Sequence, residues 1–249
     1  MEAARATGSP RPTLVGVAGP LALVGSGEYL PVMLDIERQL IDGRPPRYVQ
    51  LPTAAGREGP ARLDYWVRLG RAQAGRLGVE AVPLVVIDRT QAEDPAIVSQ
   101  VEGAGLIYLS GGSPAFLADT LRDIALWWAI VAAWEGGAAL AGCSAGAMAL
   151  ADRVSDLRNP SGGSRLGLGL LPHIRVLPHF DRMAGWIPDL LTRPFFRSSD
   201  GVSVVGVDED TALVGGPHEF TVQGRQSAWL LSAGKRQEFK AGSALHLPA

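Results

Sequence analysis

The chain has 249 residues, 47% of them apolar and 19% charged, which suits one generous α/β domain and excludes wholesale disorder. Its 23 basic and 25 acidic residues leave a net charge of −2, a balance that argues against a nucleic-acid or other polyanionic partner. A single cysteine, Cys143, excludes an intrachain disulfide and a cysteine-built metal site, and the four histidines lack metal-ligand spacing, so no cofactor is expected.

Residues 1–12, MEAARATGSPRP, are small, polar and interrupted by proline. They lack the apolar stretch of a secretory signal and read as a loose tail, with 13–249 forming a single domain. No apolar run reaches the ~18 residues of a membrane span, so a cytoplasmic protein without a membrane partner is expected.

From Leu21 to Val24 a short apolar run predicts a buried strand that ends on Gly25-Ser26-Gly27. Helical spacing follows over Leu30 to Ile41, then a strand over Arg47 to Leu51. A helix is predicted from Ala61 to Ala74 and a β-rich run from Ala81 to Ile87. Pro95 to Val101 reads as helix, and Gly105 to Leu109 as a strand closed by Ser110-Gly111-Gly112. Leu117 to Trp134 reads as one long helix before a strand over Ala138 to Cys143. Strands separated by helical crossovers predict a mostly parallel, doubly wound sheet flanked by helices. The last third is richer in turns. Strands are predicted at Ile174 to Leu177, Val202 to Val207, Ala212 to Val214, Phe220 to Val222 and Ala228 to Leu231, with a helix near Ile187 to Leu191. These extend the same sheet and add a small antiparallel C-terminal extension.

The segment Gly142-Cys143-Ser144-Ala145-Gly146 lies between the Ala138 strand and a good helix start at Ala147-Met148-Ala149-Leu150. A five-residue G-x-S-x-G pattern arises readily by chance among 31 glycines, so the context decides. A serine on a sharp strand-to-helix turn is held above the strand end, and helix N–H groups there face a developing oxyanion. Cys143 has the frame Ala141-Gly142-Cys143-Ser144-Ala145, without both flanking glycines, and fits a small buried residue better than a nucleophile.

The segment AGCSAGAMAL, with LSGGSP upstream and LPHFDR and GVDEDTALVGG downstream, resembles the S51 serine peptidases, a family that includes aspartyl dipeptidase (peptidase E) and cyanophycinase. The likeness runs from about Leu21 to Val222, and GVDEDTAL is closest to the cyanophycinase branch. The resemblance implies a class I glutamine amidotransferase-like, three-layer fold. It also implies a serine hydrolase acting on small peptides or isopeptides containing aspartate through an acyl-enzyme at Ser144. Two other readings stay open: an amidase or esterase on a small acyl substrate, and a catalytically silent binding protein on the same fold.

A serine nucleophile needs a base that titrates near neutrality. The resemblance places that role on His179, within Pro178-His179-Phe180. His173, His218 and His246 stand in turn-like surroundings. For the orienting acid the chain departs from peptidase E, whose acid lies some fifteen residues after the serine; that offset falls here on Asn159. Asp156 is preferred, and Glu209 is the alternative. Asp208 and Asp210 read as parts of a solvated turn, and Asp181 is too near His179 in sequence to orient it. The oxyanion hole is expected from the N–H groups of Ala145 and Gly112, with Gly111, Ser113, Glu28 and Arg182 as substrate-binding candidates. Arg165 is a further candidate for a substrate carboxylate. Leu121, Leu126, Trp127 and Trp128 form an apolar helix stripe that serves either as core or as the face of a homodimer.

Overall fold

The computed structural model describes residues 17–155, 164–184, 201–232 and 235–248. The expected boundary between residues 12 and 13 and the helix near Ile187 to Leu191 lie outside them.

Five short strands build the parallel part of the central sheet: β1 (Leu21–Val24), β2 (Arg47–Leu51), β3 (Glu80–Pro83), β4 (Leu106–Leu109) and β5 (Ala139–Cys143). They pair in the order β1-β5-β4-β2-β3, each step parallel. Successive side chains on a strand point to opposite faces, and here both faces are apolar. Leu21 and Leu23 pack with Ile107, Leu109 and Leu140 on one face. Ala22 and Val24 pack with Tyr48, Tyr108, Ala139 and Ala141 on the other. The second face is covered by α1 (Leu34–Ile41) and α2 (Pro60–Leu77); their Ile36, Leu40 and Ala74 enter its core. The result is the three-layer α/β arrangement expected from the alternation of elements.

The other face carries a run of helices in which the sequence reading needs correction. Between β3 and β4 lie α3 (Arg89–Glu93) and α4 (Pro95–Val98), and the first of these was not anticipated. The predicted helix from Leu117 to Trp134 is two helices, α5 (Pro114–Leu121) and α6 (Ala125–Glu135). Asp123 at the break has φ +56°. The cause lies some thirty residues upstream. Arg89 donates to the carbonyls of Asp119 and Arg122 at the end of α5, while Glu93 accepts the Ala125 N–H at the start of α6. A cation on the carbonyl end and an anion on the amide end stabilise both broken termini. Leu121, Leu126 and Trp127 are buried in the core, and only Trp128 of that stripe is exposed. The β-rich run expected through Ile87 ends at Pro83, since β3 is an edge strand and Val85 and Ile87 turn to solvent.

The C-terminal third extends the central sheet as expected and adds a second sheet that was not. β10 (Thr211–Gly215) pairs antiparallel with β1, and β11 (Glu219–Gly224) and β14 (Ala244–His246) extend that edge. A separate four-stranded sheet holds β13 (Lys235–Lys240), β12 (Ser227–Ser232), β9 (Ser203–Val207) and β8 (Ile174–Pro178) in that order. It packs on the central sheet through Ile174, Val176, Val205, Val207 and Ala228, which join the large core beside Leu21 and Leu213. The chain steps from this smaller sheet to the central one in the three residues Asp208-Glu209-Asp210. A two-stranded ribbon, β6 (Arg153–Ser155) with β7 (Ser164–Leu166), completes the described strands.

Candidate active site

Ser144 follows β5 directly and precedes α7 (Ala145–Ala149). Its backbone sits at φ +50°, ψ −107°, a strained conformation for a residue with a side chain. The surroundings hold it there. The Ser144 N–H donates to the Val24 carbonyl of β1 at 2.9 Å, and its own carbonyl accepts from Met148. Both flanking glycines are required by close approach. A Cβ on Gly142 would lie 2.6 Å from the carbonyl carbon of Gly146, and one on Gly146 would lie 2.2 Å from the Leu109 carbonyl oxygen of β4. The pattern read in the sequence is therefore the steric condition for folding α7 back onto the sheet.

His179 arrives from the other sheet, immediately after β8, also at positive φ. Its Nε2 lies 2.7 Å from Ser144 Oγ, and its Nδ1 lies 3.3 Å from Glu209 Oε1. This arrangement suits the tautomer in which Nδ1–H donates to the carboxylate and Nε2 accepts the serine proton. Glu209 Oε2 accepts from Arg182 Nε at 3.1 Å, and the Glu209 N–H donates to Asp181 Oδ1 at 3.0 Å. Gln226 donates from Nε2 to both Asp181 Oδ2 and the Glu209 carbonyl, closing the support around the acid. Asp181 and Gln226, which the sequence did not single out as supports, thus fix Glu209 from behind; only their spatial convergence reveals them.

The three acidic residues at the step between sheets have three different environments. Asp208 is not part of a solvated turn: it is 4% exposed and accepts from Trp229 Nε1 and the Ser227 N–H. Burial pushes its pKa above the usual carboxylate value, a rise that these hydrogen bonds partly offset. Asp210 pairs with Arg225 at 3.4 Å. Asp156, preferred from the sequence, and Asn159 lie outside the described residues. The other histidines are elsewhere: His173 and His218 stack on each other, and His246 pairs with Glu219.

Gly111 and Gly112 follow β4, whose neighbour in the sheet is β5, so their turn and Ser144 share one edge of the sheet. Open parallel sheets place their sites at this carboxyl edge. A Cβ on Gly111 would stand 3.6 Å from Ser144 Cβ. Among the described residues, neither the Gly112 N–H nor the Ala145 N–H has an acceptor. Ser113 Oγ accepts the Phe116 N–H as the cap of α5. Glu28 is buried, with both oxygens engaged by Gly111 N and Cys143 Sγ. Arg182 is largely exposed and pairs with Glu209, while Arg165, also exposed, pairs with Asp119. Burial, and then the Glu28 charge, push the Cys143 thiol well above its ordinary pKa. A thiol held protonated is a poor nucleophile. Among the described residues no group of three or more His, Cys, Asp or Glu could hold a metal ion, and no helix is long and apolar enough to cross a membrane.

The model of peptidase family S51 matches residues 21–222. The chain belongs to peptidase family S51. It is similar to the cyanophycinases of Synechococcus elongatus and Thermosynechococcus vestitus, at 30% identity over 154 residues in each case. Those matches cover 55% of this chain and 45% of either cyanophycinase, so the similarity spans under half of their length. Among solved structures, a peptidase from an acI-B1 actinobacterium is 42% identical with a TM-score of 0.84, covering 92% of this chain and 97% of that one. A putative peptidase E protein from Listeria monocytogenes EGD-e has a TM-score of 0.55 at 15% identity, covers 90% of this chain and 99% of that one, and shares the fold. The mixed α/β fold with a mostly parallel central sheet is that of the S51 family.

Proposed function

We propose that this S51 member is a serine peptidase that uses Ser144 as nucleophile, His179 as general base and then acid, and Glu209 as the orienting carboxylate. The observation that carries the reading is the unbroken line Ser144 Oγ, His179 Nε2, His179 Nδ1, Glu209 Oε1, with contacts of 2.7 and 3.3 Å. Ser144 Oγ attacks the substrate carbonyl carbon while its proton passes to Nε2. The negative oxygen that results faces the N–H groups of Gly112 and Ala145. Collapse breaks the C–N bond, and the leaving amine takes the proton from His179. Water then attacks the acyl-enzyme by the same route, which releases the acid and restores Ser144. Glu209 accepts the Nδ1–H and stabilises the imidazolium formed in each half-reaction.

The substrate class proposed is a small peptide or isopeptide containing aspartate, supported by the likeness to cyanophycinases and by the order of the four motifs. The protein is expected to act in the cytoplasm. A fluorophosphonate probe tests the nucleophile: the wild type should be labelled and Ser144→Ala should not. Labelling that persists in the variant overturns the assignment. A panel of Asp-X dipeptides, β-aspartyl dipeptides and p-nitrophenyl esters then reads the substrate class. Turnover of the esters alone would replace the peptidase with an esterase.

A further inference from the structure

The turn at Gly111-Gly112 has no Cβ of its own with which to pack, so something else must fix its peptide planes. Backbone bonds from Ser110 to the Leu51 carbonyl and from Ser113 to the Ala54 carbonyl hold its two ends, and residues of the loop after β1 hold its first half. Tyr29 OH and Ser110 Oγ share a hydrogen bond of 2.6 Å, and both residues are buried. One residue earlier, Glu28 Oε1 accepts the Gly111 N–H at 3.0 Å. Two consecutive residues of one loop thus hold two consecutive residues of the other. The second Glu28 oxygen accepts from Cys143 Sγ at 2.9 Å, which ties the same carboxylate to the residue before Ser144. Tyr29 is held at φ +64°, an uncommon backbone state for a bulky residue and a sign that its surroundings over-determine it.

We propose that Glu28, with Tyr29 beside it, is a positioning residue: it draws the Gly111 N–H inward and so sets the following peptide with the Gly112 N–H facing the reacting carbonyl oxygen. A Cβ on Gly111 would meet Glu28 Oε1 at 2.6 Å and Ser144 Cβ at 3.6 Å, so the carboxylate and the nucleophile both lie close to Gly111. Glu28 therefore acts through the Gly111 amide and not on substrate. This inference rests on the serine-peptidase reading above.

The test uses the full chain and the fluorophosphonate rate alongside steady-state kinetics. Glu28→Met fills a similar volume without an acceptor. It should lower both the labelling rate and kcat by about 30- to 100-fold, with KM within about threefold, as expected when a transition-state donor is misplaced. Glu28→Gln keeps an oxygen for Gly111 and should restore both rates to within about fivefold of wild type. Melting curves establish that each variant is folded. If Glu28→Met does not fold, Tyr29→Phe removes the hydroxyl that bonds Ser110 and should lower kcat by about three- to tenfold at constant KM. Wild-type rates in Glu28→Met overturn the proposal, as do wild-type rates in Tyr29→Phe where that variant stands in. Equal loss in Glu28→Gln and Glu28→Met also overturns it, because the charge and not the hydrogen bond would then matter. A wild type that the probe does not label would refute the serine-peptidase reading itself, a result distinct from either.

Discussion

The Glu209 carboxylate divides its oxygens between His179 and Arg182, while its backbone N–H is held by Asp181. Replacing it by glutamine keeps the shape but removes the charge proposed to stabilise the imidazolium. Glu209→Gln should lower kcat by about 10³-fold, whereas Asp156→Asn should leave kcat within about twofold. Steady-state kinetics on the two variants decide the matter, and the reverse pattern would return the role to Asp156. Ser144 and His179 were legible from short motifs, since each sits in a local pattern tied to a strand end. Glu209 was picked out from Asp208 and Asp210 but ranked behind Asp156, because sequence order does not show which carboxylate reaches His179, and the three adjacent acidic residues look alike in sequence. What distinguishes them is contact at a distance: Trp229 claims Asp208, His179 claims Glu209 and Arg225 claims Asp210.

At the scale of elements, the packing of α7 on the sheet depends on two absent methyl groups. Gly146→Ala would push a Cβ to 2.2 Å from the Leu109 carbonyl oxygen, and the neighbour is backbone that cannot turn aside. The substitution should cost about 1–3 kcal/mol, in the range of overpacked sites, and should lower kcat as Ser144 shifts with the helix. Urea titration would show the loss as a lower midpoint, and an unchanged midpoint would refute the packing argument. Strand positions were read closely because β1, β4 and β5 are continuous apolar runs bounded by turn residues, and β2 is closed by Pro52. The break between α5 and α6 was hidden for the opposite reason. Its local residues favour a continuous helix, and the groups that stabilise the interruption, Arg89 and Glu93, belong to α3.

For the whole molecule, the parallel core was legible as alternation, but the partition of the C-terminal strands between two sheets was not. A run such as Val202 to Val207 carries no mark of which sheet it will join. Stability has a further determinant on the α1 face. Glu37 is 1% exposed, accepts from Tyr48 OH at 3.0 Å, and burial raises its pKa from 4.5 to about 7. Below pH 4.5 folded and unfolded chains both hold this proton. Between pH 4.5 and about 7 only the folded chain does, so stability falls as pH rises through that window and then levels. The loss is about 3 kcal/mol at 1.36 kcal/mol per pKa unit. Measured against Glu37→Gln, which does not titrate, the wild type should lose that amount between pH 4.5 and 7. Parallel stability curves for the two proteins would show that Glu37 is not the cause.

The step from β9 to β10 through Glu209 also sets an order of assembly during synthesis. Ser144 is made before its proposed partners: the proposed base comes at residue 179 and the proposed carboxylate at residue 209, on the crossing to a strand that pairs with β1. A growing chain that has not yet emerged through β9 carries the serine without the relay proposed to activate it. On the proposed mechanism the nascent protein is born with its hydrolytic centre unarmed, and the connection that lays β10 against β1 arms it.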